Sequence, residues 1–358
     1  MKILQLYLFK RFIFGFLISL AVLLSIEIFF SFTAEIKYLN SGNYSFTKLV
    51  QYILLNIPRS INIMFPYAIL IGAMLSLGAM ASDLEFVSMQ AAGISVSKIM
   101  FIILSQAFAL SIIFYSISDF IVPKYTIKAE QKKNFAINKK IIFQRNGIWF
   151  KDGNAFIKIR EIYSESNLKG IIVYDYNEEN RLQAISNIKE ADLINGKWIL
   201  KGVNKTLFST NPISKKYHKV QIRDKFINQQ LINIKTQNSL SLSLSDVAKN
   251  IRYLNNNNLD TTVQTKIFWE KLFQPFSTVI MLFLAMPFIF GRYRQNNLSK
   301  RIVIGVLIGI SFFIVYSILP NIGIVLGIYP FFNILLTNIM FVVIGYYLYA
   351  HHLEIGLR

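Results

Sequence analysis

Long apolar runs alternate with polar stretches along the chain, and the lengths of the runs predict membrane-spanning helices. The first run extends from Phe12 to Phe32, after Lys10 and Arg11. About 20 apolar residues are needed to cross the hydrocarbon core of a bilayer. A signal peptide has an apolar region of only about 7–15 residues and closes on small residues. This run is longer and ends in Phe-Phe-Ser-Phe, so it reads as a retained span. The second run extends from Ile61 to Met80, with Tyr52 to Ile57 as an interfacial approach and Pro58 and Pro66 near its start. It carries Gly72, Ala73, Ser76, Gly78 and Ala79, small residues that let helices approach closely in lipid. The third, Ile99 to Ile117, closes at Asp119 and Pro123. Three more follow at Ile267 to Phe290, Ile302 to Leu319 and Ile322 to Tyr349, the last entering the membrane near Phe331 after Pro330. Six spans place both termini on one side.

Between spans three and four the pattern changes. Pro123 to Lys140 is polar with helical spacing and reads as an extension of span three. From Ile141 the pattern is strand-like. Ile141-Ile-Phe and Ile148-Trp-Phe flank Arg145-Asn-Gly, a hairpin signal. Lys151-Asp-Gly-Asn, Asn177 to Asn180 and Asn195-Gly mark further turns around Phe156-Ile-Lys-Ile-Arg, Gly170-Ile-Ile-Val-Tyr-Asp-Tyr, Arg181-Leu-Gln-Ala-Ile and Lys197-Trp-Ile-Leu-Lys. Short strands at such intervals predict an antiparallel sandwich or jelly roll. A helix is expected over Ser245 to Leu254, with Ser245 as its cap. The fold class is therefore an α-helical membrane protein, six transmembrane helices with an inserted antiparallel β, jelly-roll-like domain. Its parts are residues 1–120, 121–262 and 263–358.

Composition agrees. Hydrophobic residues make up 54% and charged residues only 16% of 358, and the mean hydropathy is +0.44. Soluble domains carry about a quarter charged residues. The net charge of +19 matters mainly for orientation. Lys2, Lys10, Arg11, Lys98, Arg292, Arg294, Lys300, Arg301 and Arg358 collect on one side, against Lys37, Lys48 and Arg59 on the other. The positive-inside rule makes the first side, and both termini, cytoplasmic. The insert 121–262 holds 24 Lys+Arg and 12 Asp+Glu and lies outside. Its charges are dispersed along strands rather than gathered with stacking aromatics, so nucleic acid is not an expected partner.

Catalytic chemistry is sparse. Zero cysteines and three histidines leave little for a thiolate nucleophile or a metal cluster. No Walker A loop, H-E-x-x-H or G-x-S-x-G occurs. The chain reads as a non-enzyme without cofactor, and any work it does draws energy from elsewhere. Glu27 is the one acid in the first run, and an ionisable residue there is a functional candidate by default. Between spans two and three, Ser82 or Asp83 can cap a short helix near 82–93 with Glu85 in its first turn. Leu84, Val87 and Ala91, with Met89 and Ala92 nearby, make it amphipathic, and Gly93 can end it. Periodicity alone favours an interfacial helix; a partner ATPase would make it a coupling element.

That segment, Ser82-Asp-Leu-Glu-Phe-Val-Ser-Met-Gln-Ala-Ala-Gly-Ile-Ser, resembles the coupling helix of the LptF/LptG permease family of the lipopolysaccharide-export ABC transporter. The resemblance runs almost end to end. Pro58 and Phe65-Pro-Tyr-Ala-Ile-Leu-Ile-Gly-Ala-Met-Leu-Ser-Leu-Gly are similar to its second span. Gly147-Ile-Trp-Phe-Lys-Asp-Gly-Asn and Ile172-Val-Tyr-Asp-Tyr-Asn are similar to its β domain. Phe268-Trp-Glu-Lys-Leu-Phe-Gln-Pro and Ala285-Met-Pro-Phe-Ile-Phe-Gly are similar to its fourth span. These last two, and Met-Gln-Ala-Ala-Gly, resemble the LptG branch more than the LptF branch.

The resemblance implies a multi-pass permease of the bacterial inner membrane with a periplasmic β domain. It implies an LptF-like partner, an LptB-like ATPase dimer that uses the ATP, and LptC-like and LptA-like jelly-roll proteins that receive lipopolysaccharide. Entry would be lateral, between span one of one subunit and span five of the other. Glu85 is expected at the ATPase interface, with Leu84, Met89 and Ala92 filling its groove and Gly93 closing the helix. Lys37 and Lys133 are expected near the lipid head group. Two departures stand out: Ser31 occupies a position where the family often has Lys, and Tyr38 follows Lys37 where a second basic residue is usual. From another class, the same features would suit a membrane anchor for periplasmic assembly, with the β domain as adaptor.

Overall fold

The computed structural model describes residues 2–137, 141–142, 148–164, 166–179, 181–194, 196–208, 212–223, 226, 242–290 and 298–357. Arg145 to Gly147, Asn180, Asn195, Arg292, Arg294 and Arg358 lie outside these. The chain divides into two compact units: Met1–Lys37, Ile53–Thr126 and Thr262–Arg358 in one, Tyr38–Tyr52 and Ile127–Thr261 in the other.

Six helices in the described residues are long and apolar enough to cross a membrane. They are α1 (Lys2–Ile36), α2 (Phe46–Ser82), α4 (Val96–Ala136), α6 (Thr262–Phe290), α7 (Leu298–Val325) and α8 (Pro330–Leu357). The short α3 (Glu85–Ala91) lies between α2 and α4, and α5 (Leu244–Asn256) precedes α6. At 1.5 Å per residue, the 37 residues of α2 and the 41 of α4 exceed a core about 30 Å thick. The interfacial stretch Tyr52 to Ile57 is part of α2 itself, which runs on through Pro58 and Pro66. Such prolines are tolerated because neighbouring helices re-satisfy the backbone groups that they free. The expected extension of span three is present and continues to Ala136.

In the membrane unit, α1 and α2 meet backbone to backbone. A Cβ at Gly72 would come within 2.5 Å of the Phe16 Cα, so only glycine permits this approach. Phe65 then joins three helices: its ring is 5.5 Å from Phe16, stacks on Phe114 at 3.8 Å and meets Tyr115 edge-on at 5.2 Å. Polar side chains extend the chain of contacts. The Tyr115 and Thr278 hydroxyls are 3.0 Å apart, tying α4 to α6. Ser277 donates to the Asn338 Oδ1 at 2.9 Å and lies 3.0 Å from the Tyr316 hydroxyl, tying α6 to α8 and α7. Buried hydroxyls and amides of this kind are satisfied in pairs because lipid offers them no water. Two charged pairs also lie among these helices: Lys271 with Asp119 at 3.2 Å, and Lys266 with Glu270 at 3.3 Å.

In the second unit, the described strands form one antiparallel sheet. They are β1 (Ile141–Ile142), β2 (Ile148–Asp152), β3 (Ala155–Ser164), β4 (Asn167–Tyr176), β5 (Leu182–Ile194), β6 (Lys197–Leu207) and β7 (Ser214–Arg223). From β3 to β7 sequence neighbours are sheet neighbours. Alternation buries one face, on which Ile159, Ile171, Ile188 and Val203 are successive cross-strand partners and all buried. Gly153, at φ +56°, opens the two-residue loop between the paired Asp152 and Ala155. The turn expected at Arg145-Asn-Gly lies outside the described residues, and the described flanking strands pair elsewhere. β1 and β2 both pair with β3, Ile141 with Ile162 and Ile148 with Ile159. Ten residues of β3 suffice to take both segments end to end, so they act as one interrupted strand. β7 is an additional strand that the hydrophobic pattern did not announce.

The cap of α5 also differs from expectation. The helix is capped two residues earlier than expected, by Ser243: the Asp246 N–H donates to the Ser243 Oγ at 3.1 Å, and that hydroxyl donates to the Asp246 carboxylate at 2.6 Å. Ser245 thus falls inside the first turn. The Tyr253 hydroxyl of α5 donates to the Lys151 carbonyl at 2.8 Å and accepts the Lys151 N–H at 3.0 Å, docking the helix on β2.

Candidate functional site

The loop after α2 turns on Leu84, whose φ of +60° is in the left-handed region. A non-glycine residue there costs about 1–2 kcal/mol. Neither Ser82 nor Asp83 caps α3. The Ser82 hydroxyl instead donates back to the Gly78 carbonyl at 3.0 Å, and the Asp83 N–H donates to Ala79 at 2.9 Å, because both still belong to the end of α2. Leu84 therefore stands at the cap position without a side-chain hydrogen bond. Gly93 does end the helix: its N–H donates to Gln90, the Ile94 N–H donates to Met89, and its φ is +83°. This 5→2 and 6→1 pairing is the Schellman arrangement.

α3 is anchored by Phe86, which is buried and 4.7 Å from the Phe290 ring. Leu84 and Val87 are 43% and 50% exposed, and Ala91 and Ala92 are exposed too. Leu84, Val87 and Ala91 follow helical spacing, so they form an outward apolar stripe rather than a face folded onto the bundle. Met89 is half-buried against the core. Glu85 is held from α1. The Tyr7 hydroxyl donates to its Oε2 at 2.8 Å, Arg11 Nη2 approaches Oε1 at 3.4 Å, and Arg11 Nε donates to the Tyr7 hydroxyl at 3.1 Å. The carboxylate also faces the first turn of α3, where the helix dipole favours it. Tyr7 and Arg11 were not singled out from sequence for this role; their i, i+4 spacing was the available signal.

On the other candidate positions, Lys37 is exposed in the turn after α1. Lys133 is half-buried in the last turn of α4, with its Nζ 4.4 Å from the Tyr38 ring centroid and 4.6 Å from that of Tyr52. Lys37 falls in the first compact unit and Lys133 in the second. In α1, Ser31 donates to Glu27 Oε1 at 2.9 Å, while Glu27 Oε2 is buried without a hydrogen-bond partner among the described residues. Ser31 thus solvates an acid on its own helix.

The spans differ in how far the chain covers them. Of the most apolar stretch of each, 22% is buried in α1 and 22% in α7, against 56% in α2 and 50% in α6. Spans one and five therefore present the least covered surfaces. Comparison with known proteins adds a family. The sequence model described as lipopolysaccharide export system permease LptF/LptG matches residues 6–351. Among curated relatives, the lipopolysaccharide export system permease protein LptG of Haemophilus influenzae is 28% identical over 333 residues, 92% of this chain and 93% of that protein. LptG of Escherichia coli K12 is 27% identical over 350 residues, 93% of each chain.

Proposed function

The chain belongs to the LptF/LptG family of lipopolysaccharide export system permeases, and from that premise we propose that it is an LptG-type subunit that extracts lipopolysaccharide from the outer leaflet of the inner membrane. It pairs with an LptF-like subunit, sits on an LptB-like ATPase dimer and passes lipid to LptC-like and LptA-like jelly-roll proteins. Its termini and α3 are cytoplasmic, and its β domain is periplasmic. The observation that carries this reading is the low burial of spans one and five, 22% each. A lateral gate built from span one of one subunit and span five of the other needs these two helices to keep open faces. The outward stripe of Leu84, Val87 and Ala91 supports docking of α3 on the ATPase, since a helix packed only on its own bundle would turn that stripe inward. Glu85 then works at this interface, and Lys37 and Lys133 attract the phosphates of the lipid head group. Purification from native membranes, with protein and lipid mass spectrometry, tests the reading. Recovery of an ATPase, a second permease and lipopolysaccharide is expected. Recovery of periplasmic assembly factors without an ATPase or lipid would favour the adaptor role and contradict it.

A further inference from the structure

We propose that Tyr38 and Tyr52 are positioning residues that hold the Lys133 ammonium in place for a phosphate of the lipid head group, an inference that rests on the export reading above. Lysine on its four-carbon stem is a mobile point charge. Here the Nζ lies 4.4 and 4.6 Å from two tyrosine ring centroids, within cation–π range of both. The rings are themselves held. Tyr52, on α2, donates its hydroxyl to Glu130 Oε1 at 2.9 Å, and Glu130 stands one turn before Lys133 on α4. Tyr38 begins the segment that is clasped to the end of α4. The Asn43 N–H donates to the Ala136 carbonyl at 2.7 Å, and a Cβ at Gly42, φ +59°, would approach that same carbonyl at 3.0 Å. Lys48 Nζ closes the segment on the Asn43 carbonyl at 2.7 Å, and Tyr44 is buried beneath it. Tyr38 thus brings a ring from this segment onto the Lys133 ammonium. A cation kept between two rings has less rotamer freedom to lose when an anion arrives.

The test uses the complex purified with its native partners, loaded with lipopolysaccharide or with lipopolysaccharide stripped of its lipid phosphates. The preference for the phosphorylated form is read by mass spectrometry of retained lipid, and complex yield and melting temperature are recorded alongside. Lys133→Ala is expected to lower the preference most. Tyr38→Leu and Tyr52→Leu are each expected to lower it about threefold, and Tyr38→Phe, which keeps the ring, to restore it. Preference retained in Tyr38→Leu, or lost equally in Tyr38→Phe, overturns the positioning role alone. Preference retained in Lys133→Ala, or no lipid on the wild-type complex, overturns it together with the export reading of this residue.

Discussion

The Tyr7 hydroxyl donates to the Glu85 carboxylate at 2.8 Å, across 78 residues of sequence, and so fastens the first turn of α3 to α1. In an export permease this contact joins the helix that would face the ATPase to a span that would face the substrate. Glu85→Arg would set a second cation beside Arg11 and remove the acceptor for Tyr7. The expected outcome is an inserted protein that no longer recruits or stimulates the ATPase. Tyr7→Phe separates two causes. If Glu85 acts by holding α3 on α1, Tyr7→Phe reproduces part of the defect. If it acts by touching the ATPase, Tyr7→Phe recruits normally. The Arg11 side of the pair with Glu85 is half-exposed, so solvent and salt screen it and it adds little to stability. Normal ATPase yield and stimulation in Glu85→Arg would remove it from the interface.

Gly72 sets the distance between α1 and α2. Gly72→Leu must push the Phe16 backbone away, and overpacking of this kind costs about 1–3 kcal/mol. Lower yield and a lower melting temperature in detergent are expected. Gly305→Ala is the contrast: its Cβ would meet Met74 Cγ at 3.0 Å, a flexible side chain, and should be tolerated. Equal melting temperatures for the two variants would contradict the close-packed crossing.

Asp192 on β5 predicts a pH dependence of the β domain. Lys201 of β6 donates to it at 2.7 Å, and this bond, with further hydrogen bonding from Asn167, holds the carboxyl below its usual range despite opposing desolvation. A depressed folded-state value stabilises above the unfolded value, near 3.9, and the contribution is lost as pH falls through the folded value. Amide-exchange protection of β5 and β6 should therefore fall on acidification below about pH 4. In Asp192→Asn it should be lower at neutral pH and fall less. The same acid response in both proteins would exclude the pair as its source.

Lys37, exposed in the turn after α1, is expected to guide the head group if the export reading holds. Lys37→Glu should weaken lipid loading while assembly and basal ATP hydrolysis persist, and should do so more than Lys37→Ala. Photocrosslinking from position 37 gives the direct check. A probe there that captures no lipopolysaccharide, while probes inside the bundle do, would show that Lys37 is an interfacial anchor.

The spans were legible because hydrocarbon thickness imposes a minimum apolar length, and Phe12 to Phe32 meets it without any knowledge of neighbours. Gly93 and Gly153 were legible because positive φ favours glycine. What escaped depends on partners distant in sequence or on competition between adjacent groups. Ser82 looked like a cap but spends its hydroxyl on α2. Phe86, not Leu84 or Val87, is the buried anchor, because α1 and α6 rather than α3 decide which side faces inward. β7 is exposed along most of its length and mixes Lys215, Lys216 and Lys219 irregularly with Tyr217, Val220 and Ile222, so no clean period marks it. The Lys133 clamp needs Tyr38 and Tyr52 from two other segments, which no local pattern joins.

The most direct measurement is lipid transfer in proteoliposomes. The purified complex, with its ATPase, is reconstituted with lipopolysaccharide and offered a soluble jelly-roll acceptor carrying a photocrosslinker. The expected result is capture that grows with time, requires ATP hydrolysis and is abolished by Glu85→Arg. Capture that is equal without ATP, or absent from a complex that hydrolyses ATP and retains bound lipid, would contradict a role in lipopolysaccharide export.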